Sequence, residues 1–310
     1  MTAVLDRLAL DRHTWIWRDR TIQYAVCGEG QPLFLIHGFG ASIGHWRHNI
    51  PDWSKAGYRV YAIDLLGFGD SEKALVDYSL ELWRDLIADF WSEFIQTPTV
   101  WVGNSIGALL ALMLAADHPE KTWGAVLLNC AGGLNHRPEE LNPVLGFILG
   151  SFAKVVSAPI VGNVLFEVVR RPSQIRRTLH QVYRNTAAID DELVELLYRP
   201  SCDPNAQQVF ASILTAPAGP KPEELLPRVT CPLLVLWGED DPWTPIDGAD
   251  IYRTWNGKAM IDFFAIPNAG HCPHDDRPEV VNRRVLDWLA HLVIWDNHAH
   301  ADRDLEALTP

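Results

Sequence analysis

The 310-residue chain has few cysteines, few methionines and a deficit of positive charge. Its five cysteines, Cys27, Cys130, Cys202, Cys231 and Cys272, are odd in number, widely spaced and form no Cys-x-x-Cys pair. That pattern argues against a disulfide framework and a zinc clip. Free thiols suit a reducing, cytoplasmic setting. Lys and Arg number 26 against 39 Asp and Glu, a formal charge of −13. A field of that sign repels phosphate backbones, so nucleic acid is not an expected partner. No apolar run reaches the ~20 residues of a membrane-spanning helix. The nearest, Val144 to Ala158, is too short and is interrupted by Lys154. Met1 to His13 mixes charged and apolar residues, without the continuous apolar stretch of a signal peptide. Internal repeats and low-complexity tracts are also missing.

What remains is a chain with 48% hydrophobic and 21% charged residues, enough to bury a sizeable core. Thr14 to Gly28 reads as two strands around a turn at Asp19-Arg20. Six short apolar runs follow: Pro32 to Ile36, Tyr58 to Ile63, Thr99 to Val102, Ala125 to Leu128, Pro232 to Trp237 and Ile261 to Ile266. Runs apolar at consecutive positions suit strands covered on both faces. Between them, Ser79 to Gln96, Ile106 to His118 and Pro278 to Val293 carry helical patterns. This alternation predicts an α/β fold with a mostly parallel, doubly wound sheet. It fails from about Gly133 to Pro222, where the pattern is helical or irregular. The expected organisation is therefore a core over residues 1–132, a helical cap over 133–222, more core over 223–293 and a peripheral tail over 294–310. Such a cap would lie over the carboxyl edge of the sheet, where open α/β sheets bind ligands.

Chemistry concentrates at that edge. Gly103-Asn104-Ser105-Ile106-Gly107 falls between a predicted strand and an Ala/Leu-rich helix, the context of an exposed nucleophilic serine on a tight turn. A serine hydroxyl needs a base. His271, beyond the last strand, is placed to reach Ser105, whereas His37 precedes the serine and reads as a turn residue. The orienting acid comes from Gly238-Glu239-Asp240-Asp241-Pro242. Asp241 is preferred, with Asp240 its rival by one residue of register. Backbone amides of Phe39, in His37-Gly38-Phe39-Gly40, and of Ile106 are the expected oxyanion donors. Trp243 is a candidate for the pocket rim. The segment Asp64 to Ser71 is only superficially like a phosphate loop and reads as a structural turn. Cys272 reads as a packing residue, and His274, Asp275 and Asp276 suit the entry to the last helix better than a metal site. Neither metal nor organic cofactor is expected.

These motifs together resemble the α/β-hydrolase superfamily. More narrowly, they are similar to pheophytinase and its bacterial, cyanobacterial-type relatives. The family-like stretches include His37-Gly38-Phe39-Gly40, Ala62-Ile63-Asp64-Leu65-Leu66-Gly67-Phe68-Gly69, Gly103-Asn104-Ser105-Ile106-Gly107 and Gly270-His271-Cys272-Pro273-His274-Asp275, and the narrower resemblance rests on the Asn104-Ser105 pair and on Asp241-Pro242-Trp243-Thr244-Pro245. It implies hydrolysis of a carboxylic ester, in the plant enzymes the phytyl ester of a magnesium-free chlorophyll. The chain lacks the long transit segment of the plant enzymes, as a bacterial protein would. Ile106 stands where the plant form tends to carry leucine. The partner implied is a hydrophobic small-molecule ester. The apolar stretch Val144 to Val169 suits a long hydrocarbon chain, a membrane surface or, equally well, cap helices packing on the core. Three alternatives stay open: a carbon–carbon bond hydrolase of ring-cleavage products, a general carboxylesterase or lipase, and a ligand receptor on a hydrolase fold.

Overall fold

The structure is a computed structural model that describes residues 10–135, 159–255, 257 and 259–307. Eight strands form one sheet: β1 (Asp11–Trp17), β2 (Arg20–Cys27), β3 (Gln31–Ile36), β4 (Tyr58–Ile63), β5 (Thr99–Asn104), β6 (Thr122–Leu128), β7 (Leu233–Gly238) and β8 (Ile261–Ile266). Their spatial order is β1-β2-β4-β3-β5-β6-β7-β8. β1 and β2 pair antiparallel, β2 joins β4 antiparallel, and the remaining ladders are parallel. The hairpin turns at Arg18-Asp19, one residue before the expected position. Both residues have positive φ, 47° and 61°, as a two-residue turn matching strand twist requires.

Successive side chains of the parallel strands go to opposite faces. Leu33, Leu35, Val60, Val100, Val102, Val126, Leu128, Leu234 and Leu236 belong to one buried cluster, and Phe34, Ile36, Tyr61, Trp101, Leu127 and Val235 to the other. Each face needs a cover, and helices supply it. Trp53 of α1 (Ile50–Lys55) packs in the first cluster, as do Val281, Val285 and Leu289 of the last helix. The second holds Trp83 and Ile87 of α2 (Leu80–Phe90) and nearly all of α3 (Ile106–Asp117). Helix α3 is apolar all round and buried all round, as it must be when squeezed between a sheet and other helices.

Two helix boundaries differ from expectation. The pattern over Ser79 to Gln96 is an α-helix only from Leu80 to Phe90, followed by a wide π turn over Trp91–Ile95. Ser79 caps its start by accepting the Leu82 amide at 3.2 Å. The last helix runs from Pro278 to Ala307, not to Val293, so residues 294–307 continue it. No glycine or proline interrupts Trp295 to Ala307, and a stop signal was needed to end it. Between β6 and β7 the described residues contain helices and no strand. These are α4 (Pro159–Val169), α5 (Pro172–Val182), α6 (Asp191–Tyr198), α7 (Ala206–Leu214) and α8 (Pro222–Leu225). Val144 to Ala158 of the apolar stretch lie outside the described residues.

Candidate active site

The turn from β5 into α3 is sterically forced. Ser105 sits at φ 57°, ψ −119°, a conformation L-residues rarely adopt. A Cβ on Gly103 would meet the Gly107 carbonyl oxygen at 2.1 Å, and one on Gly107 the Ile36 carbonyl oxygen at 2.1 Å. Both glycines are thus required by close backbone approach. The turn closes through the Ser105 amide, which donates to Leu128 O at 2.9 Å. The outcome is a serine held at the carboxyl edge of the sheet, before a helix N-terminus whose first amides have no intrahelical acceptor. Ile106 supplies the first of them. Phe39 lies in the turn after β3, which the Ala41 amide closes onto Gly38 O at 3.2 Å.

His271 follows β8. Its Nδ1 lies 2.7 Å from Asp241 Oδ2, and both residues are buried. Structure thus brings Asp241, not Asp240, to the imidazole. Asp240 is exposed and pairs with Arg184 at 3.7 Å. The Asp241 carboxylate is also met by Asn129 Nδ2 at 2.8 Å, the Trp243 amide at 2.8 Å and the Thr244 hydroxyl. Burial would push its pKa up. The hydrogen bond and charge of His271, with Thr244 and the Trp243 amide, outweigh burial and hold it below the ordinary carboxylate value. Asn129 is itself oriented by the Gly238 amide, which donates to its Oδ1 at 2.9 Å.

The His271 backbone is pinned on both sides. Its amide donates to Val182 O at 2.9 Å, and its carbonyl accepts from Asn104 Nδ2 at 2.9 Å. The residue beside the serine therefore holds the loop of the imidazole. The preceding Gly270 amide donates to Asp276 Oδ2 at 2.7 Å, and a Cβ there would lie 1.9 Å from Val182 O. Ser105, His271, Ile106, Phe39 and Trp243 all line one cavity of about 270 Å³. Trp243 is 54% exposed, with its ring 5.1 Å from the His271 ring. It stands at the rim.

Several discounted residues prove structural. His37 is buried, accepts the Leu65 amide at Nε2 (3.0 Å) and donates through Nδ1 to Gly38 O (2.7 Å). Asp64 accepts the Ile43 and Asp70 amides at 2.7 and 2.8 Å. Cys272 is buried, and burial together with nearby carboxylates pushes its thiol well up, away from the reactive thiolate. Asp275 and Asp276 are buried in hydrogen bonds beneath the His271 loop. Asp275 accepts Arg47 Nε at 2.9 Å and the Tyr183 hydroxyl at 2.9 Å; His45 Nε2 lies 2.7 Å from that hydroxyl. Among the described residues, no group of three or more His, Cys, Asp or Glu is arranged to hold a metal ion.

Sequence reasoning missed Asn129, Thr244 and the role of Asn104 in holding the loop. Thr244 lies in the segment of the acid, where a threonine by itself does not mark a carboxylate partner. Asn129 had one available signal, a polar residue ending an apolar strand, and nothing to say what it faces.

A mostly parallel sheet carrying a serine after β5, a carboxylate after β7 and a histidine after β8 defines the α/β-hydrolase architecture. The sequence pattern of the alpha/beta hydrolase family matches residues 33–284, and the chain belongs to that family. Chloroplast pheophytinase of Arabidopsis thaliana is 29% identical, with 84% of this chain and 61% of that protein aligned. The chain thus spans less than two-thirds of that relative. The 2-hydroxymuconate semialdehyde hydrolase of Pseudomonas sp. (strain CF600) is 30% identical over 80% of this chain and 81% of its own length. Among solved structures, a bacterial membrane phospholipase A superposes with TM-score 0.74 at 24% identity, covering 94% of this chain and 89% of that one. A thermophilic esterase from Thermogutta terrifontis gives 0.71 at 23%, covering 91% and 99%. These two likenesses establish the fold.

Proposed function

We propose that the chain is a serine hydrolase of carboxylic esters with an apolar, long-chain or phytyl-type substrate. Ser105 attacks the ester carbonyl, His271 takes its proton, and Asp241 fixes the imidazole tautomer and stabilises the imidazolium. The oxyanion rests on the Ile106 and Phe39 amides. His271 then protonates the departing alcohol and activates water, which clears the acyl-enzyme. The carrying observation is the 2.7 Å contact between His271 Nδ1 and Asp241, on a histidine that lines the cavity of Ser105.

An apolar substrate is supported by a second cavity of about 260 Å³ between the sheet loops and the helical segment, walled by Phe68, Phe166, Leu179, Val209 and Phe210. We read that helical segment as a cap, and the similarity to pheophytinase favours an ester of this kind. Peripheral membrane contact belongs to the same proposal. Val164, Val168 and Val169 of α4 are exposed, while no helix among the described residues is long and apolar enough to cross a membrane.

Incubation with pheophytin, chlorophyll and graded p-nitrophenyl esters tests the reading, with Ser105→Ala as control. Loss of turnover by about 10⁶ is expected if the three side chains act as a unit. Near-normal hydrolysis by Ser105→Ala would refute it. A second reading, cleavage of a carbon–carbon bond in ring-cleavage diketones, is favoured by the 30% identity to the semialdehyde hydrolase. Turnover of such diketones in preference to every ester would select it. A receptor would leave Ser105 unreactive toward a fluorophosphonate probe.

A further inference from the structure

Residues 182–185, at the end of α5 and just beyond it, are bonded to the loop of the base at three places. The Val182 carbonyl accepts the His271 amide at 2.9 Å, and the Tyr183 hydroxyl donates to Asp275 Oδ2 at 2.9 Å. The third place is Asp276, a carboxylate only 1% exposed at the end of a short helix, Pro273–Asp276. Its Oδ1 accepts the Asn185 amide at 2.7 Å. The Arg184 amide meets both oxygens, at 3.0 Å from Oδ2 and 3.2 Å from Oδ1. Oδ2 also accepts the Gly270 amide at 2.7 Å. We infer that Asp276 is a positioning residue for the base, tying the placement of His271 to the helical segment through main-chain amides. This rests on the serine-hydrolase reading above.

An amide paired with a carbonyl joins two points of the chain. A carboxylate has two oxygens and about four acceptor sites, so it can join three. Bonds to an ionised acceptor are also the strong ones. Arg184 and Asn185 lie 92 and 91 positions from Asp276, and Gly270 only six. The carboxylate thus bridges a remote stretch of chain to the residue next to the base. A buried charge stripped of its donors is costly, so the donors keep their places around it. Two successive nitrogens that carry the imidazole are then fixed from the same segment: Gly270 through Asp276, and His271 through the Val182 carbonyl. The fit has no slack, because a Cβ on Gly270 would already lie 1.9 Å from Val182 O. Asp276 is not part of the wall of either cavity, so it acts through His271 and not on a substrate. What it controls is the 2.7 Å contact of Nδ1 with Asp241 and the reach of the imidazole to Ser105. Misplacing a reacting group by about 1 Å can cost about 10² in rate.

Labelling of Ser105 by a fluorophosphonate tests this without a known substrate. In that reaction Ser105 Oγ bonds to phosphorus, fluoride leaves, and His271 takes the serine proton. Saturation kinetics separate the labelling rate constant from the affinity for the probe. Asp276→Asn keeps the shape but sets an NH₂ group against an amide donor. Its rate constant should fall about 10- to 100-fold, with probe affinity within about threefold. The His271 Nδ1 proton bonded to Asp241 should move upfield in the proton spectrum. Asn185→Pro breaks the link from the other side by replacing the amide hydrogen with a ring carbon. Asn185 has φ −82°, close to what proline requires. Asn185→Ala, which keeps the amide, corrects for the lost side chain. The proline variant should label at least about fivefold more slowly than the alanine one, and combining it with Asp276→Asn should add little, since both act through one link. Asp117→Asn weakens the pairing with Arg84 and Arg228 at the far end of α3. It should lower the urea midpoint yet leave labelling within about twofold. A loss below about tenfold in folded Asp276→Asn, or a loss confined to probe affinity, overturns the inference and leaves the Ser105 assignment intact. Should Asp276→Asn not fold, the Asn185 pair decides alone, and equal labelling of the two overturns it. If the wild-type chain is not labelled, the serine-hydrolase reading falls and this inference with it.

Discussion

Replacing Asp241 by asparagine should cost about 10³ in kcat/KM, and the hydrogen bonds say why it should not cost more. His271 Nδ1, Asn129 Nδ2 and the Thr244 hydroxyl all converge on Oδ2, while Oδ1 accepts only the Trp243 amide. An asparagine has one acceptor oxygen. If its amide nitrogen took the Oδ2 position, it would face the Asn129 amide donor, the Thr244 hydroxyl would have to turn and accept, and the imidazole would have to change tautomer. If instead its oxygen took that position, only the Trp243 amide would meet a donor, at a cost of about 1–3 kcal/mol. The second orientation wins, so Nδ1 stays protonated and Nε2 stays free to accept. What is lost is the carboxylate charge beside the imidazolium. At an effective dielectric of about 20 and roughly 4 Å between charges, that is about 4 kcal/mol, or about 10³ in rate. Steady-state kinetics on a preferred ester measure it. Nitrogen NMR of the His271 ring checks that the tautomer is unchanged. Asp240→Asn, at an exposed residue that pairs with Arg184, should stay within about twofold. A loss below tenfold for Asp241→Asn, or a larger loss for Asp240→Asn, would refute the assignment.

Other outcomes follow from the packing and the titrating groups. Gly107→Ala, whose Cβ would lie 2.1 Å from a strand carbonyl, should destabilise by more than about 3 kcal/mol in urea unfolding; a wild-type midpoint would show that the turn can relax. Arg47→Leu strips Asp275 of a buried partner at 2.9 Å and should cost about 3–5 kcal/mol, read as a lowered urea midpoint; an unchanged midpoint would show Asp275 to be satisfied without it. Burial holds the His37 and His45 pKa values down at about 4, below the ordinary 6.5. The unfolded chain therefore binds their protons first, and their contribution is complete above about pH 6.5 and lost as pH falls toward 4. Asp64, raised by burial to about 6, acts in the opposite sense over about pH 4 to 6, since its folded form holds its proton longer. Two histidines outweigh one carboxyl, so the urea midpoint should fall between pH 7 and pH 4.5. A midpoint that rose on acidification would refute that balance.

Much of the fold was legible because its physics is local. A strand covered on both faces must be apolar at consecutive residues, and Leu33 to Ile36, Val60 to Ile63 and Leu233 to Trp237 say so directly. The hairpin register depended on positive φ at Arg18 and Asp19, neither a residue type that announces it, and the turn was misplaced by one. The end of the last helix was misplaced for the complementary reason. Polarity after Trp295 looked like a tail, but polar residues do not end a helix, and no breaker was present.

The candidate site divides along the same line. Ser105 was legible because its turn imposes glycines at fixed neighbours, and His271 because strand order limits which histidines can arrive. Asp241 against Asp240 was a matter of one residue of register, decided in space by the group the carboxylate faces. The role of Asn129 was not legible, since its partners lie 109 and 112 positions away and a polar residue ending an apolar strand is too ordinary a signal to name them. Yet Asn129 does two things at once: it satisfies the Gly238 amide at the end of β7 and donates to the carboxylate three residues later. The acid is thus located by the neighbouring strand as well as by its own loop. Asn104 joins the serine turn to the His271 carbonyl in the same manner. The acid and the base of the proposed triad are therefore each held by an amide side chain at the end of another strand, while Ser105 is tied to β6 by its own amide, which fixes the relative position of three loops without drawing on the side chains that react.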